Sequence, residues 1–256
     1  MPTPPYSPQT IMITGASGGF GQAFARIFAS LGARLVLCGR NEAKLKALAA
    51  SLPVPCYISC FDMRDRQAIE AAVTALPPDF AEIDLLVNNA GLALGQSAAQ
   101  QAELDDWMEM IDANCKGLVV LTRLLLPGMI TRGRGHIINI GSIAGNYAYP
   151  GGHVYCASKA FVKHFSLALR ADLYQTPVRV TNIEPGMVET DFSLVRFKGD
   201  SAKAAAVYAN TTPLTADDVA QAVAWAATQP LHCNINSIEL MPVTQAPGPL
   251  NVSRTA

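Results

Sequence analysis

The chain has 256 residues, half of them hydrophobic and 15% charged, enough to bury the core of one large α/β domain with little length left for a second. Its net charge is −1 with no basic or acidic block, which gives nucleic acid and anionic membrane surfaces nothing to hold. Cys38, Cys56, Cys60, Cys115, Cys156 and Cys233 form no CxxC pair. They read as small buried hydrophobes in a reducing cytoplasm rather than as disulfides or metal ligands.

In chain order, the proline-rich stretch Met1–Thr10 lacks the pattern of a secretory signal and is expected to be a loose arm. Short apolar runs predict strands at Thr10–Thr14, Arg34–Cys38, Pro55–Phe61, Ile83–Val87, His136–Ile140, Val178–Ile183 and Ser237–Met241. Helix-period segments lie between them, at Gln22–Leu31, Glu42–Ser51, Arg64–Leu76, Leu104–Ile130, about Val154–Tyr174 and Ala216–Thr228. The longest apolar run, Gly117 to Met129, is broken by Thr122 and Arg123 and is too short to span a bilayer. Such alternation calls for an α/β, doubly wound, Rossmann-type domain over residues 1–256, with a mostly parallel seven-stranded sheet. Met187–Thr212, read as a substrate lid, and the tail of about 242–256 have no place in that sheet.

The first strand runs into Thr14-Gly15-Ala16-Ser17-Gly18-Gly19-Phe20-Gly21 and then a helix. Such a turn brings backbone N–H groups and a helix N-terminus against a pyrophosphate, and glycine allows the close approach. The spacing is not GxGxxG, and a glycine turn alone is weak evidence. The second strand ends in Cys38-Gly39-Arg40-Asn41, with a cation where an NAD site would place a carboxylate. Arg40 either pairs with the 2′-phosphate of NADP or is a solvated residue opening the next helix; the first reading is preferred. Asp62-Met63 ends the third strand, where Asp62 would accept from the adenine amino group. Asn88-Asn89-Ala90-Gly91 follows the fourth strand, which the doubly wound order sets beside the first; Asn89 would bond the chain or the adenine-side ribose.

Three elements remain in order: Asn114 within a helix, Ser142 past the fifth strand, and Tyr155-Cys156-Ala157-Ser158-Lys159. Tyr155 and Lys159, at i and i+4, share a helix face. A phenol ionises near pH ~10, so it serves as a base only where phenolate is stabilised, and a neighbouring cation does that. Ser142 would hold the substrate oxygen and Asn114 would organise water behind Lys159. Each has an ordinary alternative: a surface pair, a turn serine, a capping asparagine. Their joint order behind a phosphate turn argues against coincidence, and no set of metal ligands is discernible.

These motifs resemble the short-chain dehydrogenase/reductase family over nearly the whole chain: TGxxxGxG at Thr14–Gly21, NNAG at Asn88–Gly91, and a tetrad at Asn114, Ser142, Tyr155 and Lys159. The resemblance implies that Gly15, Ala16, Ser17, Gly18, Gly19, Phe20, Gly21, Arg40, Asn41, Asp62, Met63, Asn89, Ala90, Gly91, Tyr155 and Lys159 bind coenzyme. It implies also that Pro185-Gly186-Met187-Val188 and Thr190 hold the nicotinamide carboxamide, and that the enzyme is a homotetramer. The chain departs from many NADP-using members in having Gly18, not a basic residue, inside the turn, so Arg40 must supply most of the preference. Within the family, Asn88–Gly95, His136–Ser142, Phe192–Asp200 and Asn234–Gln245 are similar to the bacterial NADP-dependent 3-hydroxy acid dehydrogenases, which oxidise L-serine, L-allo-threonine or 3-hydroxypropionate-type acids.

That similarity implies a small anionic hydroxy acid or the matching semialdehyde as substrate; sulfoacetaldehyde reductases are similar too. An anion needs a cation near the nicotinamide, and Arg196, in the lid, is the candidate, with Arg254 of the tail a second. The alternative for Arg196 is a solvated charge on the lid. A non-catalytic NADP(H) sensor is the rival class, and the complete tetrad weighs against it.

Overall fold

The computed structural model describes residues 6–248. Seven strands, β1 (Thr10–Thr14), β2 (Arg34–Gly39), β3 (Cys56–Cys60), β4 (Leu85–Asn88), β5 (Gly135–Ile140), β6 (Val178–Pro185) and β7 (Ser237–Leu240), form one sheet in the order β3-β2-β1-β4-β5-β6-β7. Every pairing is parallel, so the sheet is wholly rather than mostly parallel. β1 pairs with β4, Ile11 opposite Leu85, as the doubly wound order requires. The order reverses between these two strands, and the crevice above their carboxyl ends is where such a sheet receives ligands.

The central strands β1, β4, β5 and β6 are buried along their whole length because both faces are covered. Successive side chains point oppositely, so Ile11 and Ile13 join one core and Met12 the other. The first core is closed by α1 (Gly19–Ser30), α2 (Glu42–Ala50) and α10 (Ala216–Ala227); the second by α3 (Arg66–Thr74), α6 (Gly117–Thr131) and α7 (His153–Asp172). A single turn, α4 (Pro78–Ala81), precedes β4.

Helix α1 begins three residues before the predicted one, because its first residues, Gly19-Phe20-Gly21, belong to the glycine turn, and the two glycines mask a helical start. The long helix expected over Leu104–Ile130 is α5 (Leu104–Ile111) joined to α6 by a π-helical turn over Asp112–Lys116. By length and composition the 28-residue run Leu104–Thr131 would cross a bilayer, which Gly117–Met129 alone would not. Here Leu118, Leu121, Leu125 and Met129 are buried, as in a core helix. The segment after β6 holds two short helices that periodicity did not reveal, α8 (Phe192–Arg196) and α9 (Ser201–Tyr208). Of the six cysteines, which are all free thiols, only Cys38 and Cys156 are buried; Cys60 is exposed.

Candidate active site

Gly15 stands at φ +63, a left-handed conformation that favours glycine, and opens the turn into α1. The turn is pinned from beside: Ala16 N donates to Cys38 O at 2.9 Å, and Gly18 N donates to Gly15 O at 3.1 Å. A Cβ on Gly21 would lie 2.2 Å from Gly15 O, so the helix packs directly on its own turn. The N-cap, Gly18, offers no capping side chain, and the first turn of α1 has no acidic residue. The helix N-terminus therefore presents backbone amides and positive potential to an anion, and a pyrophosphate fits this cradle. Across the crevice, a Cβ on Gly19 would lie 3.1 Å from the Thr190 side chain, so the turn faces the segment after β6. Asn89 bonds the chain: its Nδ2 donates to Thr14 O at 2.8 Å and Gly15 O at 3.2 Å, while its backbone N donates to Thr14 Oγ1.

At the end of β2 the Arg40 side chain is exposed, and its guanidinium lies 3.9 Å from Asp62. Asp62, the expected acceptor for the adenine amino group, is held in place by a neighbour. Arg64 grips its carboxylate with Nε donating to both oxygens at 3.0 Å and Nη2 at 2.6 Å, which holds the acid below its usual range. Arg64, which sequence reasoning missed, also pairs with Glu109 at 2.7 Å. Asn41 Oδ1 accepts from Lys44 N and caps α2, so the side chain serves the fold. Met63 is buried with its carbonyl against Gly117, where a Cβ would lie 2.2 Å away. Beyond β6, Gly186 N donates to Leu240 O at 2.8 Å and Met187 N to Gln245 Oε1 at 2.8 Å, while Val188 bridges to Leu214.

Four residues from three elements converge where β4 and β5 end. Tyr155 and Lys159 sit one turn apart on α7, with Lys159 Nζ 5.9 Å from the phenol ring centre. Ser142 hydrogen-bonds the phenol and favours its ionised form. Asn114 lies in the π turn, a feature that re-aims side chains at functional sites. Rather than facing open space, it clasps the chain: Oδ1 accepts from Leu92 N at 2.8 Å, and Nδ2 donates to Leu92 O and Ser158 Oγ. Ser158 Oγ donates in turn to Tyr155 O, so Asn114 steadies α7.

Burial dominates the protonation of this cluster. The Tyr155 phenol is pushed up to about 12 by loss of solvent, opposed first by the charge of Arg196. Lys159 is brought down to about 8 by burial, and its Nζ donates to Ile140 O at 2.9 Å. Its folded pKa thus lies below its unfolded one, so its charge costs stability fully below pH ~8, and the cost disappears by pH ~10.5. Lys159→Met is accordingly expected to be more stable than the parent by about 2 kcal/mol at neutral pH, after allowance for the lost bond to Ile140. The gap should close as the pH rises through that window in thermal unfolding. A gap that widens with pH would count against a charged Lys159.

Residues distant in sequence complete the site. α8 places Phe192 and Arg196 at i and i+4 against Tyr155: the two rings are 5.6 Å apart, and the Arg196 guanidinium lies 5.0 Å over the phenol. Arg196 also stands over Tyr149, and its Nη2 donates to Tyr149 Oη at 2.5 Å. Its Nε is buried without a partner. The structure thus brings Ser142, Tyr155, Lys159 and Arg196 together, with Asn114 behind them, while Arg40 and Asp62 sit at the far end of the crevice. Arg254 lies outside the described residues. Tyr149, Phe192 and Gln245 were not foreseen, and only the aromatic density around Tyr147 and Tyr149 could have hinted at the first.

Residues 9–200 match the family model for short chain dehydrogenases. An NADP-dependent 3-hydroxy acid dehydrogenase of Escherichia coli strain K12 is 53% identical over 245 residues, covering 95% of this chain and 99% of that protein. Sulfoacetaldehyde reductase 2 of Chromohalobacter salexigens is 50% identical over 239 residues, covering 92% and 95%. Among solved structures, a closed form of serine dehydrogenase complexed with NADP+ superposes with a TM-score of 0.92 at 52% identity, covering 96% of this chain and all of that one. The chain belongs to the short-chain dehydrogenase family and is an oxidoreductase.

Proposed function

We propose that this enzyme interconverts a small 3-hydroxy acid, such as L-serine, L-allo-threonine or 3-hydroxypropionate, and its semialdehyde, with NADP(H) as coenzyme. The observation that carries the reading is the Arg196 guanidinium held 5.0 Å over the Tyr155 ring with its buried Nε unpaired. Such a guanidinium would offer an anion a fixed partner beside the hydroxyl proposed to handle the proton. A planar fork suits a carboxylate.

The glycine turn, the amides of α1 and the exposed Arg40 are suited to the pyrophosphate and 2′-phosphate of NADP(H), and Pro185–Thr190 to the carboxamide. When bound, the nicotinamide supplies or accepts the hydride. The protein manages the proton. In oxidation, Tyr155 Oη, as phenolate, takes the proton of the substrate hydroxyl; in reduction, Tyr155 Oη–H returns one to the developing alkoxide. Ser142 Oγ holds that oxygen in place, Lys159 adds positive charge beside the phenol, and Asn114 fixes the helix that bears both. Segment 187–212 acts as the lid, through α8.

The same fork accepts a sulfonate, and the 50% identity to a sulfoacetaldehyde reductase favours sulfoacetaldehyde as the second reading. The exposed side chains of Leu104, Met108 and Ile111 on α5 and of Phe161 and Leu167 on α7 support assembly as a homotetramer, and the free thiols are suited to a cytoplasmic enzyme. The apolar segment Leu118–Leu126 of α6, by contrast, turns Leu118, Leu121 and Leu125 into the core.

The test is a comparison of kcat/KM for L-serine, L-allo-threonine, 3-hydroxypropionate and sulfoacetaldehyde, in the parent and in Arg196→Ala. The 3-hydroxy acids should lead, and the variant should raise KM for every anionic substrate by about 10- to 100-fold, the worth of a charge-assisted bond. An unchanged KM in Arg196→Ala removes the anion site.

A further inference from the structure

We propose that Arg196 has a second role beside anion binding: seated over the Tyr155 ring by α8, it is the permanent cation that offsets the cost of burying a phenolate, so that closing the lid assembles the base. This rests on the reading of Tyr155 as the proton carrier.

The groups that face Tyr155 come from three directions. From α8 come the Arg196 guanidinium, at 5.0 Å from the ring centre, and Phe192, at 5.6 Å. From the loop after β5 come Ser142, which favours phenolate, and the Tyr149 hydroxyl, which disfavours it. From α7 itself come Cys156, which also disfavours ionisation, and Lys159, whose Nζ is farther off at 5.9 Å and is committed to Ile140 O. Of the two cations, only Arg196 keeps its charge at every pH at which the enzyme works. Lys159, brought down to about 8, sheds its proton in the range where a phenolate would form. A cation over a ring face binds the π cloud, and more strongly once the ring carries phenolate charge.

The seating of Arg196 depends on the segment that bears it. Gly95 N donates to Arg196 O at 3.0 Å, and Lys198 Nζ meets Asp106 at 2.8 Å, so the end of α8 is tied to the loop after β4 and to α5. Lys198 and Gly199 follow at φ +52 and +91, a left-handed pair that turns the chain away immediately after the ties. Tyr149 Oη, by accepting from Arg196 Nη2, fixes the guanidinium on the phenol side. Displacing α8 removes the charge from the ring, which leaves Tyr155 buried and protonated.

The experiment separates this role from anion binding by using an uncharged substrate, the methyl ester of 3-hydroxypropionic acid, at saturating NADP+. In Arg196→Gln, the rising pH limb of kcat/KM for the ester should move up by about one pH unit, with roughly tenfold lower rate at neutral pH and convergence with the parent at high pH. Arg196→Lys, which keeps a charge there, should restore most of the limb. A direct readout is the ionisation of ζ-carbon-labelled tyrosine followed by NMR, with the Tyr155 resonance identified by its loss in Tyr155→Phe. Its midpoint should rise in Arg196→Gln by the same amount. If that midpoint stays put and the ester rate is unchanged, or is lowered equally at every pH, Arg196 serves the anion alone and the proposal is wrong. Should Tyr155→Phe turn over normally, the assignment of the proton carrier fails instead, whatever Arg196 does.

Discussion

Tyr155→Phe is expected to lower kcat by about a thousandfold in both directions, while NADPH binds with a Kd within about twofold of the parent's. The substitution removes one oxygen and nothing else. The ring keeps its contacts with Phe192 and Arg196, so α8 stays seated and the crevice keeps its shape. The proposed coenzyme cradle, the glycine turn with Arg40, does not depend on the phenol oxygen. Fluorescence titration with NADPH and steady-state rates with the preferred hydroxy acid check the two halves of the statement. A variant with kcat within tenfold of the parent has another proton carrier, and the assignment falls.

The two directions should also differ in their pH dependence in the parent enzyme. Burial puts the phenol at about 12 even with Arg196 and Ser142 opposing it, so in reduction the donor is protonated throughout the neutral range and the rate should be flat there. Oxidation needs the phenolate, so its rate rises with pH until the acidity of the coenzyme-bound site is passed. The positive charges assembled around Tyr155 decide where that limb falls. On the proposal above, Arg196, which lies outside the helix, shifts that limb as much as the sequence neighbour Lys159 does.

The parts of this site that could be read from sequence are those fixed by short-range geometry. Ile11, Met12 and Ile13 announce a strand buried on both faces because every position must be apolar. Tyr155 and Lys159 announce one helix face because their spacing is four. The glycine turn is legible because Gly15 and Gly21 answer to a backbone constraint that is local. What sequence could not supply is contact between distant segments. Arg196 reaches Tyr155 across 41 positions, and Gln245 reaches Met187 across 58. The expectation that Lys159 would be the main charge acting on the phenol followed from adjacency. The fold instead gives Lys159 a backbone carbonyl and brings Arg196 to the ring. α8 and α9 escaped notice because five and eight residues are too few for a helical period to show. The hold of Arg64 on Asp62 was not legible because the two stand only two residues apart, where a loop rather than a helix or strand sets the geometry.

Gly21→Ala is expected to cost about 3 kcal/mol or more in stability and to weaken NADPH binding by about 100-fold or more, whereas Gly18→Ala should leave the fold's stability nearly unchanged. In an ordinary helix interior, alanine gains roughly 1 kcal/mol over glycine. At Gly21 the added Cβ would stand 2.2 Å from Gly15 O and 2.5 Å from Ala16 Cα, both backbone atoms of the phosphate turn. No side chain can rotate away to relieve that contact. Relief requires α1 to move off the turn, which unseats Phe24 and Phe28 from the core and spreads the amides that the pyrophosphate needs. Gly18 differs in every respect: its φ is −85, and the nearest atom to an added Cβ is 3.5 Å away. Thermal unfolding with and without NADPH distinguishes the two variants. Gly21→Ala should melt several degrees lower than the parent, about 8 °C for a chain of this size, and gain little from coenzyme. If it retains both the parent's Tm and its stabilisation by NADPH, the close packing of α1 on its turn is not what holds the phosphate cradle rigid.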